Sequence, residues 1–252
     1  MKLGFLKQKP YSFLLVGATG VGKTLLVKEY AKTLYNKDSF IRLDMSEYKE
    51  SHSVSKIIGS PPGYVGYNDY GNVLDKIKMN PHSVILLDEI EKANPAVLKL
   101  FLQILDEGKI KNSKGETIVF DNTLIFMTSN LGVNKENIDF NNNKNKILEE
   151  IINFLSIEFV NRIDKIFYFN NIDTKAIKKI VIKELNMLIK ENEDKIAITF
   201  STKTVNKIIK KTNYEKFGAR KVEKIIDEEI YSLIVDKIIQ DKKNIFVDSE
   251  LV

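Results

Sequence analysis

The chain has 252 residues, of which 43% are hydrophobic and 29% charged, and it lacks cysteine, which excludes disulfide-stabilised domains and thiolate metal sites. No apolar run approaches the roughly 20 residues of a membrane helix, and the basic N-terminus lacks a signal-peptide core. We therefore expect no membrane association, and the absence of cysteine fits a cytoplasmic-type compartment. The net charge of +5 is spread along the chain and forms no basic stripe, so we expect no nucleic-acid partner.

The first predicted elements are an apolar strand at 13–16, a glycine-rich segment and a helix. The segment Gly17–Thr24 reads G-A-T-G-V-G-K-T, the G-x-x-x-x-G-K-[ST] pattern of a phosphate-binding loop. Glycines let successive backbone amides face phosphate oxygens, and the helix adds its positive N-terminal end. Lys23 can reach the β- and γ-phosphates, and Thr24 can ligate Mg²⁺. An ordinary glycine-rich turn is the alternative, but the flanking strand and helix favour binding of a nucleoside triphosphate.

A second strand is predicted at 39–43, and residues 51–70 then contain many turn formers and no regular period. Tyr64 and Val65 lie at the centre of this segment, between two glycines. Long glycine-rich loops with aromatic side chains are often functional. A packed turn with Tyr64 beneath it is the equal alternative.

Polar side chains follow two further apolar strands. The strand at 83–87 ends in Asp88 and Glu89, and the strand at 123–127 is followed by Asn130. Ligands of open α/β sheets bind at the carboxyl ends of the strands. Asp88 can hold Mg²⁺, and Glu89 can orient or deprotonate an attacking water; helix capping is the alternative. The Asn130 amide can bond a γ-phosphate and that water, or it only shapes the turn.

The apolar pattern of the sequence also predicts the elements between residues 95 and 169. An apolar helix is predicted at 95–107, and a polar hairpin or loop follows it at 108–121. Residues 133–145 are rich in asparagine and are interpreted as a surface loop. A helix to residue 159 and a strand at 165–169 complete this part.

The pattern becomes mainly helical beyond residues 170–171. Short strands are predicted at 196–200 and 244–248, and a long helix is expected after Gly218. We therefore predict a large α/β domain over residues 1–170 and a small, mainly helical domain over 171–252.

Five apolar strands alternating with helices, with a phosphate loop after the first and Asp-Glu after the third, resemble the AAA+ ATPase module. Longer stretches are similar to the second ATPase module of the Clp protein unfoldases (ClpA, ClpB and ClpC). These stretches are Arg42–Tyr48, His52–Ser55, Pro61–Tyr67, Leu87–Lys92, Met127–Asn130, Phe159–Asp164 and Gly218–Arg220. The resemblance implies an AAA+ P-loop α/β fold, with a five-stranded parallel sheet carrying helices on both faces, followed by a small helical domain.

The resemblance also implies roles for individual residues. The nucleotide-binding residues would be Gly17, Ala18, Thr19, Gly20, Val21, Gly22, Lys23, Thr24, Leu25 and Arg220, the last as second sensor. Thr24 and Asp88 would hold the metal. Catalysis would involve Glu89, Asn130 as first sensor, and Arg162 as an arginine finger that reaches the neighbouring subunit's nucleotide. Tyr64 and Val65 would form the tip of a pore loop.

The arginine content supports part of this assignment. Of the 39 lysines and arginines, only Arg42, Arg162 and Arg220 are arginine. Two of them stand where a planar guanidinium would stabilise a transferring phosphate, a task that lysine performs poorly.

The function implied by the resemblance is hydrolysis of ATP, with Mg²⁺, coupled to protein unfolding. A homo-oligomeric ring, expected to be a hexamer, would thread an unfolded polypeptide through its pore. Ile138-Asp139-Phe140 is either a modified loop for docking a ClpP-type peptidase or a chance pair of apolar residues in an asparagine-rich linker. Because the chain begins close to the phosphate loop, we expect a fragment of a longer two-module protein or a reduced form.

Two other functions compete with this hypothesis. A nucleic-acid-dependent AAA+ ATPase would need basic residues where the chain has Tyr64 and Val65. A non-hydrolysing ATP-binding scaffold would not need the acid pair, Asp88 and Glu89, or Arg162.

Overall fold

The computed structural model describes residues 9–34, 39–60, 63, 72–133, 140–240 and 244–248, and for residues 140–143 it describes the backbone alone. The strands of the first part of the chain are β1 (Tyr11–Gly17), β2 (Phe40–Asp44), β3 (Val84–Asp88), β4 (Lys109–Lys111), β5 (Thr117–Val119), β6 (Leu124–Ser129) and β7 (Lys165–Phe169). Five of them form one parallel sheet in the order β2-β3-β6-β1-β7. The predicted five-stranded parallel sheet is therefore confirmed.

Helices cover both faces of this sheet. They are α1 (Lys23–Leu34), α2 (Val54–Ile58), α3 (Val73–Met79), α4 (Pro95–Glu107), α5 (Phe140–Leu155) and α6 (Ile157–Asn161). Side chains alternate between the faces of a strand. Leu15 and Leu86 pack with Val27 of α1 on one face, whereas Leu14 and Leu87 belong to the larger cluster formed with α2, α3, α4 and α5 on the other. Both faces are thus buried, as the apolar strands predicted.

The polar segment after α4 forms an antiparallel hairpin. Strand β4 pairs with β5, and Ile110 opposes Ile118 within it. Both side chains are buried in the larger hydrophobic cluster, which is called the main core below. This settles the prediction of a hairpin or loop in favour of the hairpin.

Three details differ from the sequence-based expectations. Residues 54–58 form a short helix inside the segment expected to be irregular, because Val54, Ile57 and Ile58 pack on the main core. Helix α5 begins at Phe140, within the predicted asparagine-rich loop. The helix expected to run to residue 159 ends at Leu155, because Ser156 adopts a φ of 73°, and α6 starts anew after it.

Helix α1 buries a narrower face than its sequence indicates. Val27 and Ala31 are buried against the sheet. Leu26, Tyr30 and Leu34 share the apolar pattern of this helix, but between 42% and 50% of each is exposed. The sheet fully covers the stripe that contains Val27 and Ala31 and covers these three side chains only in part.

The contacts divide the chain into two compact units. One comprises Met1–Gly17 and Lys23–Phe169, and the other comprises Ala18–Gly22 and Asn170–Val252. The domain boundary expected between residues 170 and 171 stays a prediction.

The second unit is built mainly of helices. Its elements are α7 (Thr174–Asn192), β8 (Ala197–Phe200), α8 (Thr202–Thr212), α9 (Tyr214–Phe217), α10 (Arg220–Ile226), α11 (Ser232–Ile239) and β9 (Asn244–Val247). Strands β8 and β9 pair in parallel. A π-helical turn, Asp227–Tyr231, joins α10 to α11. The core of this unit includes Val181, Leu185 and Ile208 together with Val222, Ile226, Ile230 and Ile234 of the last helices.

None of the helices in the described part of the chain is both long enough and apolar enough to cross a membrane.

Candidate functional site

The site is organised around Asp88, the last residue of β3. The side chain of Asp88 points to the same sheet face as Val84 and Leu86, because residues two apart on a strand share a face. This is the face covered by α1, whose first turn carries Thr24. Asp88 is 4% exposed, so its carboxylate needs hydrogen-bond donors from the protein.

Four hydrogen bonds reach the Asp88 carboxylate. Its Oδ1 accepts from the hydroxyls of Thr24, at 2.9 Å, and of Thr128, at 2.6 Å. Its Oδ2 accepts from Nε and an Nη of Arg42, at 3.1 and 2.7 Å. Both oxygens are therefore held in fixed directions, with Oδ1 beside the hydroxyl predicted to ligate the metal.

Lys23 lies beside Asn130. The Lys23 ammonium donates to the carbonyl oxygen of Gly17 at 2.6 Å and to Oδ1 of Asn130 at 2.8 Å. Lys23 is 7% exposed, which is rare for a lysine without oxygen partners. The end of β1 and the residue after β6 thus fix the ammonium in place.

Glu89 follows Asp88 in a left-handed backbone conformation, with φ 57° and ψ 57°. This conformation costs a non-glycine residue about 1–2 kcal/mol. The Glu89 amide donates to the Thr128 hydroxyl at 2.9 Å, which stabilises the turn. Among the hydrogen bonds and ion pairs of the described residues, none involves the Glu89 carboxylate. This half-buried carboxylate is available to act on a water molecule.

The phosphate loop has the backbone that an anion cradle requires. Gly20 and Gly22 have φ values of 80° and 99°, a region that side chains disfavour. The loop leads directly into α1, and the N-terminal end of a helix favours an anion. These features fit a polyphosphate.

The donor set also fits Mg²⁺. Thr24 supplies a hydroxyl oxygen and Asp88 a carboxylate oxygen, and the two atoms are 2.9 Å apart. Mg²⁺ commonly binds one or two protein oxygens and completes its shell with water and substrate phosphates. The Thr24 hydroxyl can donate its hydrogen to Asp88 while an oxygen lone pair remains for the metal.

Arg162 is not part of this cluster. Its carbonyl accepts a hydrogen bond from the buried Ser12 hydroxyl at 3.0 Å, and Ser12 also bonds Asp164. Ser12 lies near the start of β1, about 16 Å along the strand from Gly17 at roughly 3.3 Å per residue. The Arg162 guanidinium forms an ion pair with Asp106 of α4, with 3.0 Å between Nε and Oδ1.

The other predicted site residues are placed as follows. Leu25 is 56% exposed on α1. Arg220 is exposed at the start of α10 in the second unit, where the amide of its neighbour Ala219 donates to the Gly20 carbonyl at 3.0 Å. Tyr64 and Val65 lie outside the described residues, as do Ile138 and Asp139. Phe140 starts α5, but its side chain is not described.

Three residues of the site had no role in the sequence-based prediction. They are Arg42 and Thr128, which bond Asp88, and Glu91, whose Oε1 accepts from the Asn130 amide at 3.2 Å. Arg42 could have been noticed because so few arginines remain in a lysine-rich chain. Thr128 carries no such signal, since threonine is common in strands.

Sequence comparison gives the family. The profile of the AAA domain (Cdc48 subfamily) matches residues 8–166, well over half of the chain. The chain belongs to the AAA domain family. This AAA chain is therefore an ATPase, as its phosphate loop and acid pair predicted. Residues 172–247 match a second profile, the C-terminal, D2-small domain of ClpB protein, so the predicted likeness to a Clp second module is confirmed.

Similar proteins include bacterial chaperones. The AAA chain is 43% identical to chaperone protein ClpB of Aquifex aeolicus, over 91% of the chain and 24% of that protein. It is 41% identical to chaperone protein ClpB of Mycoplasma genitalium, over 92% of the chain and 32% of that protein. The chain thus spans about a quarter to a third of the length of these relatives.

A solved structure is also similar. A cryo-EM reconstruction of Hsp104 in its closed state, with ATPγS and FITC casein, matches with a TM-score of 0.83 and 34% sequence identity. The match covers 95% of the AAA chain and 44% of the Hsp104 chain. The similarity extends over both compact units.

Proposed function

We propose that this chain is an ATP-driven protein-unfoldase module that works as a homo-oligomeric ring. The observation that carries the proposal is the division of the catalytic groups. Lys23, Asp88, Glu89 and Asn130 follow neighbouring strands at one end of the sheet, whereas Arg162 is bonded to the start of β1 at the other end. A guanidinium in that position serves a nucleotide held by a neighbouring copy better than its own.

The residues of the site support in-line hydrolysis of ATP. Glu89 orients a water and accepts one of its protons as the water oxygen bonds to the γ-phosphorus. The bond between that phosphorus and the β-γ bridging oxygen breaks, and ADP leaves with the bonding electron pair. Lys23 and Asn130 hold the γ-phosphate in position, and the Arg162 of a neighbour offsets the charge that develops on it. Mg²⁺, held by Thr24 and Asp88, would supply further neutralisation of phosphate charge.

Substrate, assembly and location belong to the same proposal. The relatives are named as chaperones, and the Hsp104 reconstruction contains casein. We propose that Tyr64 and Val65 grip an unfolded polypeptide in the pore of a hexamer in a bacterial-type cytoplasm or an organelle derived from it. Docking of a ClpP-type peptidase through residues 138–140 remains a prediction from the sequence.

A mixing experiment tests the assignment of Arg162 to a neighbour's site. Glu89→Gln should bind ATP without hydrolysing it, and Arg162→Ala should lose about a thousandfold or more in turnover. In a mixed assembly an Arg162→Ala subunit keeps its own Glu89 and receives an intact arginine from a Glu89→Gln neighbour. We expect a mixture of the two inactive variants to recover part of the ATPase rate.

The mixture has a matched control. Two batches of Glu89→Gln mixed with each other should stay inactive, because no subunit then holds the base. Absence of recovery in the mixture, under conditions where size measurements show co-assembly, would contradict the proposed arrangement.

Protein unfolding is measured in a separate assay, as ATP-dependent loss of fluorescence from a tailed fluorescent protein. Tyr64→Ala should lose this signal while keeping ATP hydrolysis.

A further inference from the structure

Arg42 is the one arginine of the chain to which the family resemblance assigns no role. It lies in the middle of β2, between Ile41 and Leu43, which face the main core. Arg42 therefore points to the opposite face of the sheet, the face of Asp88 and α1. Its guanidinium reaches across to β3 and bonds Oδ2 of Asp88 through both Nε and an Nη.

Asp88, and not Asp44, is the main partner of Arg42. The shortest distance to a carboxylate oxygen is 2.7 Å for Asp88 and 3.7 Å for Asp44. Asp44 also has its own donors, the hydroxyl and amide of Ser46. Hydrogen bonding from the Ser46 side chain lowers the pKa of Asp44, and Arg42 contributes less to that shift.

We propose that Arg42 is a positioning residue for the Mg²⁺ site. By holding Oδ2, the guanidinium fixes the rotation of the Asp88 carboxylate, so that Oδ1 stays beside Thr24 and faces the metal shell. The inference rests on the proposed role of Thr24 and Asp88 in holding the metal. Groups that orient a metal-binding side chain typically change metal affinity about 10–100-fold when removed.

A lysine cannot replace Arg42 in this task. The two N–H groups that bond Oδ2 lie in one rigid plane, whereas an ammonium offers rotatable donors on a flexible stem. This difference explains why arginine is retained in a chain that otherwise uses lysine almost throughout. It also separates an effect of orientation from an effect of charge, since lysine keeps the charge.

The test measures binding, with no need for hydrolysis. The affinity of the purified chain for a fluorescent ADP is titrated over a series of Mg²⁺ concentrations and in EDTA, for the wild type, Arg42→Gln and Arg42→Lys. The same substitutions are made in an Asp88→Asn background. Lys211→Gln is the matched control, because it removes an ion pair of equal length, 2.7 Å to Glu229, in the second unit.

We expect the half-saturating Mg²⁺ concentration to rise about tenfold in Arg42→Gln and about threefold in Arg42→Lys. Affinity in EDTA should equal that of the wild type, and Arg42→Gln should add nothing in the Asp88→Asn background. Lys211→Gln should match the wild type in both conditions.

Several results would overturn the inference. The half-saturating Mg²⁺ concentration could stay constant or fall in Arg42→Gln, or Arg42→Lys could behave as the wild type, which would reduce the role to charge. An equal loss of affinity in EDTA would indicate a general structural role. Since the assay involves neither ring assembly nor a polypeptide, its failure is distinguishable from failure of the unfoldase proposal.

Discussion

Thr128 offers a direct test of how the acid pair is held. Its hydroxyl donates to Oδ1 of Asp88 at 2.6 Å and accepts from the Glu89 amide at 2.9 Å. The residue is 1% exposed, so water cannot replace either bond. Thr128→Val keeps the shape of the side chain and removes both bonds, whereas Thr128→Ser keeps the hydroxyl and removes a methyl group.

The expected loss of stability in Thr128→Val follows from these two hydrogen bonds. Loss of a hydrogen bond to a carboxylate costs about 1.5–3 kcal/mol, and a buried amide left without an acceptor costs about 1–3 kcal/mol. The added methyl group of valine returns up to about 0.8 kcal/mol through burial. We therefore expect Thr128→Val to lower the free energy of unfolding by about 2–5 kcal/mol. Thr128→Ser should cost about 1 kcal/mol, as for other single buried methyl groups.

The rate of ATP hydrolysis should also depend on the Thr128 hydroxyl. The Thr128 hydroxyl stabilises the left-handed conformation of Glu89, so its loss frees the carboxylate from the position in which we propose that it acts on water. We expect kcat to fall at least about tenfold in Thr128→Val and to remain near the wild-type value in Thr128→Ser. Urea unfolding and steady-state ATPase assays measure the two quantities. Equal behaviour of the valine and serine variants in both assays would refute this account of the hydroxyl.

Two further predictions concern the backbone and the pH dependence. Gly132 has a φ of 70°, and an added Cβ would lie 2.7 Å from the backbone of α5, so Gly132→Ala should cost about 2–4 kcal/mol in urea unfolding. Gly115→Ala is its control, because φ there is 79° but nothing lies within 4 Å, and a cost of only about 1 kcal/mol is expected; equal costs would contradict the steric argument. Asp44 has a folded pKa below the ordinary 3.8, so its contribution to stability is complete above that value and is lost as the pH falls through the folded pKa. Between pH 6 and pH 3 the urea midpoint of the wild type should therefore fall more than that of Asp44→Asn, and parallel curves would show that this group does not matter.

The parts of the site that sequence predicted share a physical property. Lys23, Thr24, Asp88 and Glu89 belong to motifs whose residue types and spacing are fixed by phosphate and metal chemistry. Their meeting at one sheet edge follows from the parallel order of the strands. A sequence with alternating strands and helices is sufficient to predict that edge.

The residues that support these groups could not be predicted in the same way. Arg42 contacts Asp88 because β2 pairs with β3. The order of strands in a sheet cannot be derived from any single segment of the sequence. Thr128 acts through a hydroxyl on a buried strand, where threonine is equally common for packing. The sequence predicts too late a start for helix α5, because its apolar period starts only at Ile147, while helical hydrogen bonding extends the helix back to Phe140.

The π-helical turn between α10 and α11 has a consequence for side-chain register. Val222, Ile226, Ile230 and Ile234 are all buried, and they recur every fourth residue. At 3.6 residues per turn, such a series would drift by about 40° at each step and carry the last isoleucine away from the core. The wider turn at Asp227–Tyr231 rotates the chain less per residue and cancels part of that drift. One locally loosened turn thus lets a four-residue repeat serve a single buried stripe along the length of the C-terminal helices.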